Sequence, residues 1–154
     1  MNSSLRMVPV RTSERAEFLD MATQHFRELN PAFIPARDWE DSYFENIQQN
    51  PSYFLRWIVV EEQRAGFILY GVEDHRFLPR KTGVIYELYI VPVKRRKGIA
   101  RACAMQAIDE LRRLSPSKIQ LEVVTGNAVA CELWKSLGFR EVTERLVLHE
   151  EISA

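Results

Sequence analysis

The sequence predicts an α/β (α+β) fold in which helices flank a mixed, mostly antiparallel central sheet. Segments with helical spacing alternate with short apolar runs in the order β-α-α-β-β-β-α-β-α-β, with a further terminal strand as an option. The run at residues 82–92 is apolar at nearly every position, which is typical of a central strand covered on both faces. The strand–helix–strand unit from Val84 to Val124 requires a right-handed crossover, so its two strands should be parallel.

The first half of the chain is predicted to supply an edge strand, two helices and a hairpin. Residues 7–11 form the edge strand, and residues 12–29 and 37–50 form the helices. Residues 53–62 and 65–74 pair as a hairpin, which places its turn at positions 63 and 64, although these are not the residue types that such turns favour. The chain of 154 residues is expected to form a single domain over 1–154.

The second half is predicted to alternate helices with strands. Residues 98–114 form a long helix and residues 128–137 a shorter one. A strand over 118–124 separates the two helices, and residues 139–151 form one or two terminal strands.

Composition argues against several classes of protein. Twenty-one Lys and Arg residues balance twenty-one Asp and Glu residues, whereas binders of nucleic acid or membrane surfaces work through an overall basic field. No apolar run is long enough to span a membrane, and the N-terminus lacks the apolar core of a secretory signal. Cys103 and Cys131 are expected to be free thiols in a reducing cytosol, and His25, His75 and His149 are expected to be surface or loop residues without a metal. We therefore expect a cytoplasmic protein.

The segment VKRRKGIARA, residues 93–102, joins the apolar strand at 82–92 to the long helix. A helix N-terminus exposes N–H groups without partners and the positive end of the helix dipole. Gly98 lets the backbone approach a ligand closely, and the cations before it add positive charge. The segment therefore suits a pyrophosphate, although it is neither a Walker P-loop nor the GxGxxG of dinucleotide-binding folds.

The spacing Arg95-x-x-Gly98-x-Ala100 resembles the pattern Q/R-x-x-G-x-G/A of the GNAT superfamily of N-acetyltransferases. It follows an apolar strand and opens a long helix, as it does in that family. Further along, NAVACELWKSLGF resembles the family's N-x-x-A-x-x-L-Y/F-x-x-x-G-F segment. The order of predicted elements also matches. The resemblance covers residues 5–150 and is most specific over residues 83–139.

The resemblance implies acetyl-CoA as the cosubstrate. The turn and the helix start would hold its pyrophosphate through backbone N–H groups, with cationic side chains beside them reaching that group or the 3′-phosphate. The end of the preceding strand would hydrogen-bond the pantetheine, next to a bulge that splays this strand from its neighbour. The residues assigned to the cosubstrate in this way are Tyr89, Ile90, Val91, Arg95, Arg96, Lys97, Gly98, Ile99, Ala100, Arg101, Asn127 and Trp134.

Acetyl transfer to an amine needs a base for the amine and a proton for the departing thiolate. Glu87 is the predicted base, because it is a carboxylate inside an apolar strand near the implied acyl site; a purely structural carboxylate is the alternative. Trp134 stands where the family usually has a tyrosine acid, and an indole does not deliver a proton at neutral pH. Tyr89 is assigned with Glu87 to catalysis. The other donors considered are Tyr70, Tyr86, Cys131 and water.

We therefore expect an acetyl-CoA-dependent N-acetyltransferase that acts on a primary amine of a small molecule or, less favoured, a peptide. The acidic and aromatic residues 38–44 either border the acceptor site or form a solvated helix face. The alternatives are a non-catalytic acyl-CoA-binding or sensing module, which the missing tyrosine supports, and a binder of nucleotide phosphates. Many domains of the family form homodimers, and no residue of this sequence indicates one.

Overall fold

The computed structural model describes residues 4–149 and contains one five-stranded sheet in the order β1-β2-β3-β4-β5. The strands are β1 (Arg6–Pro9), β2 (Tyr53–Val60), β3 (Gln63–Asp74), β4 (Lys81–Ile90) and β5 (Lys118–Leu121). The helices are α1 (Arg15–Leu29), α2 (Trp39–Gln49), α3 (Ile99–Arg112) and α4 (Ala128–Ser136), with 3-10 turns at Thr12–Glu14 and Pro92–Lys94. Neighbouring strands are antiparallel except for β4 and β5, which are parallel. The predicted mixed sheet is confirmed.

The sheet separates two apolar layers, which we call the α1–α2 face and the α3–α4 face. Alternation along β3 supplies both: Phe67 and Leu69 belong to the first layer, and Ile68 and Tyr70 to the second. Cys103 of α3 is buried in the second layer, and both cysteines are free thiols. None of the helices within residues 4–149 has the length and hydropathy to cross a membrane.

The hairpin turn between β2 and β3 lies at Glu61 and Glu62, not at the predicted Gln63 and Arg64. Both glutamates have positive φ, 51° and 63°, which is the conformation that a two-residue turn of type I′ requires. Residues other than Gly, Asn and Asp seldom adopt it. The residue types therefore carried no signal for the true turn.

The predicted terminal strands over 139–151 are absent from residues 139–149, and the last two positions lie outside the described residues. Val142, Leu146 and Leu148 are 78%, 84% and 80% exposed, so this segment buries little apolar surface that could hold it against β5. Strand propensity by itself does not form a ladder, because it mainly reflects how well a side chain fits a packed, half-buried sheet.

Candidate active site

β4 loses its second neighbour halfway along its length. Its parallel pairing with β5 ends at Ile85, whereas its antiparallel pairing with β3 continues to Ile90. In the described part of the chain, no strand pairs with the outer edge of β4 beyond Ile85. Such an edge offers backbone N–H and C=O groups to an extended ligand.

A β-bulge changes the direction of the side chains in β4. The register with β3 shifts by one residue between Leu69 and Tyr70, which leaves Tyr86 as the extra residue. Regular alternation would place Tyr86 and Glu87 on opposite faces. Instead Tyr86 packs in the α1–α2 layer, and Glu87 contacts His25 of α1 in the same layer. The bulge therefore delivers a carboxylate into a largely aromatic layer.

The turn between β4 and α3 has a backbone suited to anions. Arg96 and Gly98 have positive φ, 62° and 76°. Within residues 4–149, the backbone N–H groups of residues 96–101 donate no hydrogen bond. A Cβ at Gly98 would meet no atom within 4 Å, so the space beside the turn is open. Successive free N–H groups at such a turn and at a helix start form a concavity for phosphate oxygens.

The cations of this turn are not equivalent. Arg95 is held against the protein, because its Nε donates to the carbonyl of Ile90 at 2.7 Å and its Nη2 to the Glu28 carboxylate at 2.7 and 2.9 Å. Arg96 and Lys97 are exposed, and their side chains contact no acidic group within residues 4–149. The cationic side chains free to meet an anion are therefore those of Arg96 and Lys97.

Two other residues assigned to the cosubstrate already have partners. The N–H of Val91 donates to the carbonyl of Ala65 at 2.8 Å, which closes the end of the β3–β4 ladder. Arg101 Nη1 donates to Ser136 Oγ at 2.6 Å and so links α3 to α4. In this conformation neither group is open to a ligand.

The two α4 residues assigned to the cosubstrate are integrated into the fold. Asn127 caps α4, since its Oδ1 accepts the N–H of Ala130 at 3.2 Å; its side-chain NH2 donates no hydrogen bond within the described residues. Trp134 is 8% exposed and packs edge-on against Phe139, with ring centroids 5.6 Å apart. Trp134 therefore belongs to the α3–α4 layer.

The three tyrosines considered as proton donors all donate to carboxylates. Their acceptors are Glu28 at 3.1 Å for Tyr89, Glu73 at 2.6 Å for Tyr86 and Glu110 at 2.6 Å for Tyr70. Burial first, and the hydrogen bond to a carboxylate second, raises the pKa of each hydroxyl. Each is thus a weaker proton donor than a free tyrosine, and Tyr70 lies on the α3–α4 face, away from Glu87.

Glu87 has a partner, His25, that was not predicted from the sequence. The prediction that His25 lies on the surface or in a loop is wrong, because His25 is in α1 and is 7% exposed. Its Nε2 lies 2.7 Å from Glu87 Oε1, and its ring packs against Tyr89. His25 follows Phe18 and Ala22 at helical spacing on the buried side of α1, and this stripe was the available signal.

A cavity of about 230 Å³ borders Glu87 on the α1–α2 face. Its lining residues are Tyr43, Asn46, Ile47, Tyr53, Leu69, Tyr86 and Glu87. The Tyr43 hydroxyl is buried and has no hydrogen-bond partner within residues 4–149. Burial, and then the negative charge of Glu87, raises the pKa of Tyr43. The cavity thus combines a carboxylate, an unpaired hydroxyl and aromatic walls, which suits an amine on a small apolar group.

Residues 38–44 divide between the two roles foreseen for them. Trp39 and Tyr43 stack on each other inside the aromatic layer, with ring centroids 5.3 Å apart. Asp41 forms an exposed ion pair with Arg15. The aromatic residues therefore build the wall behind the cavity, and this acidic residue lies outside.

A larger hollow of about 330 Å³ lies at the opposite edge of the sheet, along β1, and includes none of the site residues.

The model of the acetyltransferase (GNAT) family matches residues 18–139. The chain belongs to the GNAT family. It is 38% identical over 61 residues to ribosomal protein bS18-alanine N-acetyltransferase of Escherichia coli, which is 40% of this chain and 41% of that relative. It is 30% identical over 106 residues to the enzyme of that name from Salmonella typhimurium, 69% of this chain and 66% of the relative. These alignments thus span less than two thirds of either relative.

Solved structures show the same fold for this GNAT chain. A ribosomal-protein-alanine N-acetyltransferase from Brucella melitensis superposes with a TM-score of 0.75 at 18% identity, over 96% of this chain and 100% of the other. An aminoglycoside acetyltransferase from an uncultured soil sample gives 0.69 at 13% identity, over 99% and 98%. The resemblance inferred from the two motifs is confirmed.

Within residues 4–149, no group of three or more His, Cys, Asp or Glu residues is arranged to hold a metal ion.

Proposed function

We propose that this protein is an acetyl-CoA-dependent N-acetyltransferase that acts on a primary amine. One observation carries the proposal: a single strand, β4, connects an anion-binding turn to a carboxylate that borders a cavity. Within residues 4–149, no strand pairs with the outer edge of β4 from Tyr86 to Ile90, although Arg95 already donates to the carbonyl of Ile90. This edge begins beside Glu87 and leads to the turn that carries the free N–H groups of residues 96–101. A thioester held along this edge would reach the cavity that receives the amine.

The described residues fit CoA. The turn from Arg96 to Arg101 offers N–H groups without partners, open space at Gly98 and two unpaired cationic side chains for a diphosphate. The pantetheine would use the open edge of β4 and the free NH2 of Asn127. Acetyl-CoA supplies the activated acyl group, and the protein supplies binding, orientation and the base.

Glu87 is the proposed base, and it borders the cavity in which the amine would lie. The proton for the departing thiolate comes from solvent, because the hydroxyls of Tyr70, Tyr86 and Tyr89 already donate to carboxylates. The relatives are named for an alanine of a ribosomal protein and a structural neighbour for aminoglycosides. Both are amine acceptors, so the proposal covers small-molecule and peptide amines.

A panel of primary amines, read by release of the CoA thiol, tests the function. The panel should contain short alkylamines, polyamines, aminoglycosides and peptides with free N-termini. We expect saturable thiol release with at least one acceptor, together with measurable binding of CoA. Tight binding of CoA with no acceptor consumed across the panel would instead favour a non-catalytic acyl-CoA sensor.

The nucleotide-phosphate alternative is tested by thermal protection. CoA should raise the Tm of the protein, because a ligand that binds only the folded state stabilises it by mass action. ATP or NAD should raise Tm much less, since neither can lie along the β4 edge as pantetheine would. Protection by ATP or NAD but not by CoA would contradict the proposed function.

A further inference from the structure

The contact between His25 and Glu87 joins α1 to the bulge of β4. The two residues are 62 positions apart in the chain, and their Nε2 and Oε1 atoms are 2.7 Å apart. The side chains are 10% and 23% exposed, so the pair lies mostly inside the α1–α2 layer. A buried polar contact of this length fixes the relative orientation of the two groups.

The two oxygens of Glu87 have different surroundings. A carboxylate accepts hydrogen bonds and an imidazole N–H donates them, which assigns the contact as His25 Nε2–H to Oε1. Oε2 accepts no hydrogen bond within residues 4–149, and Glu87 lines the 230 Å³ cavity. Oε2 is thus the oxygen available to take a proton from a ligand in the cavity.

We infer that His25 is a positioning residue, which holds Oε1 so that Oε2 is presented to the acceptor amine. This inference rests on the proposed N-acetyltransferase function. In the step itself, the amine nitrogen bonds to the acyl carbon and the C–S bond breaks. The surplus proton on nitrogen moves to Oε2, and the thiolate takes a proton from water. His25 keeps its N–H on Oε1 throughout, and Glu87 afterwards returns its proton to solvent.

Aromatic and ionisable side chains surround the pair of His25 and Glu87. β3 contributes the apolar ring of Phe67, whose plane meets the His25 ring edge-on. The titratable and charged groups facing the pair are Tyr43 of α2, Tyr86 and Tyr89 of β4, Glu28 of α1 and Arg95 of the turn. All of these groups remain in place when position 25 is changed, so a comparison of His25→Ala with His25→Gln reports on the N–H donor at that position.

Three variants at two positions test the inference. His25→Ala removes the N–H and should lower kcat by about 10- to 100-fold with the KM for CoA unchanged, as expected for loss of a hydrogen bond to a charged group. His25→Gln keeps an N–H donor without a titrating ring; it should recover most of the plateau rate and shift the acidic limb of the pH profile. His25→Ala in a Glu87→Gln background should add less than about 3-fold, because the two residues act as one unit.

Phe26→Leu is the control for disturbed packing of α1. The Phe26 ring packs against the His25 ring as well as against Phe33, Trp39 and Tyr43. Its replacement therefore alters the packing around His25 without removing the Nε2–H that contacts Glu87. This variant should lower the Tm and leave the pH profile of kcat unchanged. A further readout needs no turnover: the NMR chemical shift of the His25 Nε2–H proton should change in Glu87→Gln, because its acceptor changes from a carboxylate to an amide.

The possible outcomes separate this inference from the proposed function. Turnover in which His25→Ala and His25→Gln are equally slow, with an unmoved pH profile, would overturn the positioning role alone. A full, independent loss from His25→Ala in the Glu87→Gln background would also overturn it. Absence of turnover with every amine, despite a His25 chemical shift that responds to Glu87→Gln, would overturn the proposed function and with it the catalytic consequence of the contact.

Discussion

Two buried tyrosines on opposite faces of the sheet, Tyr70 and Tyr43, hold their hydroxyls in different ways. On the α3–α4 face, Tyr70 donates to Glu110 at 2.6 Å, and its ring lies in a closed layer. On the α1–α2 face, the Tyr43 hydroxyl is buried beside the cavity that Glu87 borders, and no group within residues 4–149 bonds it. Native structures leave few buried polar groups unpaired, and those few call for an explanation. The difference singles out the Tyr43 hydroxyl as the buried polar group that a ligand in the cavity could satisfy.

The two faces would also hold the two reactants, CoA and the amine, through different kinds of groups. The start of α3 offers backbone N–H groups, for which only the path of the chain and Gly98 matter. The α1–α2 face offers side chains brought together from helix and strand, above all His25 and Glu87. Substitutions at the start of α3 should therefore abolish binding of CoA. Substitutions at His25 or Glu87 should slow the chemistry and leave that binding intact.

The largest expected effect is that of Gly98→Glu on CoA binding. The substitution places a carboxylate where the diphosphate would lie, and we expect the Kd for CoA to rise by more than about 100-fold, since a like charge replaces open space near free N–H groups. The fold should tolerate it, because a Cβ meets no atom within 4 Å; the left-handed backbone costs about 1–2 kcal/mol. Isothermal titration measures the Kd and urea denaturation the free energy of unfolding.

Gly138→Glu is the matched control for that experiment. Gly138 also has positive φ, 100°, and open space around its Cβ, but it lies after α4. It should lose similar stability and keep CoA affinity within about 3-fold, because the substitution leaves the backbone and the open space of the turn at residues 96–101 unchanged. Equal loss of CoA affinity in both variants would mean that the pyrophosphate site is elsewhere.

The next effect in size is that of Glu87→Gln on kcat. Removal of a general base typically lowers the rate by about 10²- to 10⁴-fold. The Kd for CoA should stay unchanged, and the rise of kcat/KM with pH should flatten, because the amide does not titrate. Glu73→Gln removes a carboxylate that bonds Tyr86 on the same face, and it should leave kcat within about 3-fold. An unchanged pH profile in Glu87→Gln would remove Glu87 as the base.

The part of the site made from backbone could be predicted from sequence, because local sequence determines it. A strand, a glycine with positive φ and a helix start lie within one short segment, so their residue types and spacing are visible together. The family motifs, the crossover and the parallel β4–β5 pair followed from such local patterns.

The part made from side chains could not be predicted, because long-range packing creates it. Regular alternation gave no sign that a bulge at Tyr86 would turn Glu87 towards α1. His25 lies on the buried stripe of α1, but that stripe does not show which strand packs against it. Arg95 looked like a free cation, yet Glu28 and the carbonyl of Ile90 hold it. These contacts depend either on a residue far away in the sequence or on a β-bulge, and neither is visible in a local pattern.

The smallest effect, and the sharpest test of the contrast between faces, is a pair of tyrosine-to-phenylalanine changes. Each removes one hydroxyl and keeps the ring, so no large cavity forms. Tyr70→Phe loses a hydrogen bond to the Glu110 carboxylate and should lower the free energy of unfolding by about 1.5–3 kcal/mol. Tyr43→Phe removes a buried hydroxyl that has no partner in the described part of the chain and should raise the free energy of unfolding by up to about 1 kcal/mol.

The opposite signs are the informative result, and urea denaturation with CoA absent measures both. If Tyr43→Phe destabilises the protein as much as Tyr70→Phe does, the Tyr43 hydroxyl has a structural partner and the α1–α2 face is as closed as the other. If Tyr43→Phe stabilises the protein but raises the KM for the amine, the hydroxyl is kept unpaired for the acceptor at a cost in stability. Such exchange of stability for function is expected at a ligand site and not inside a finished core.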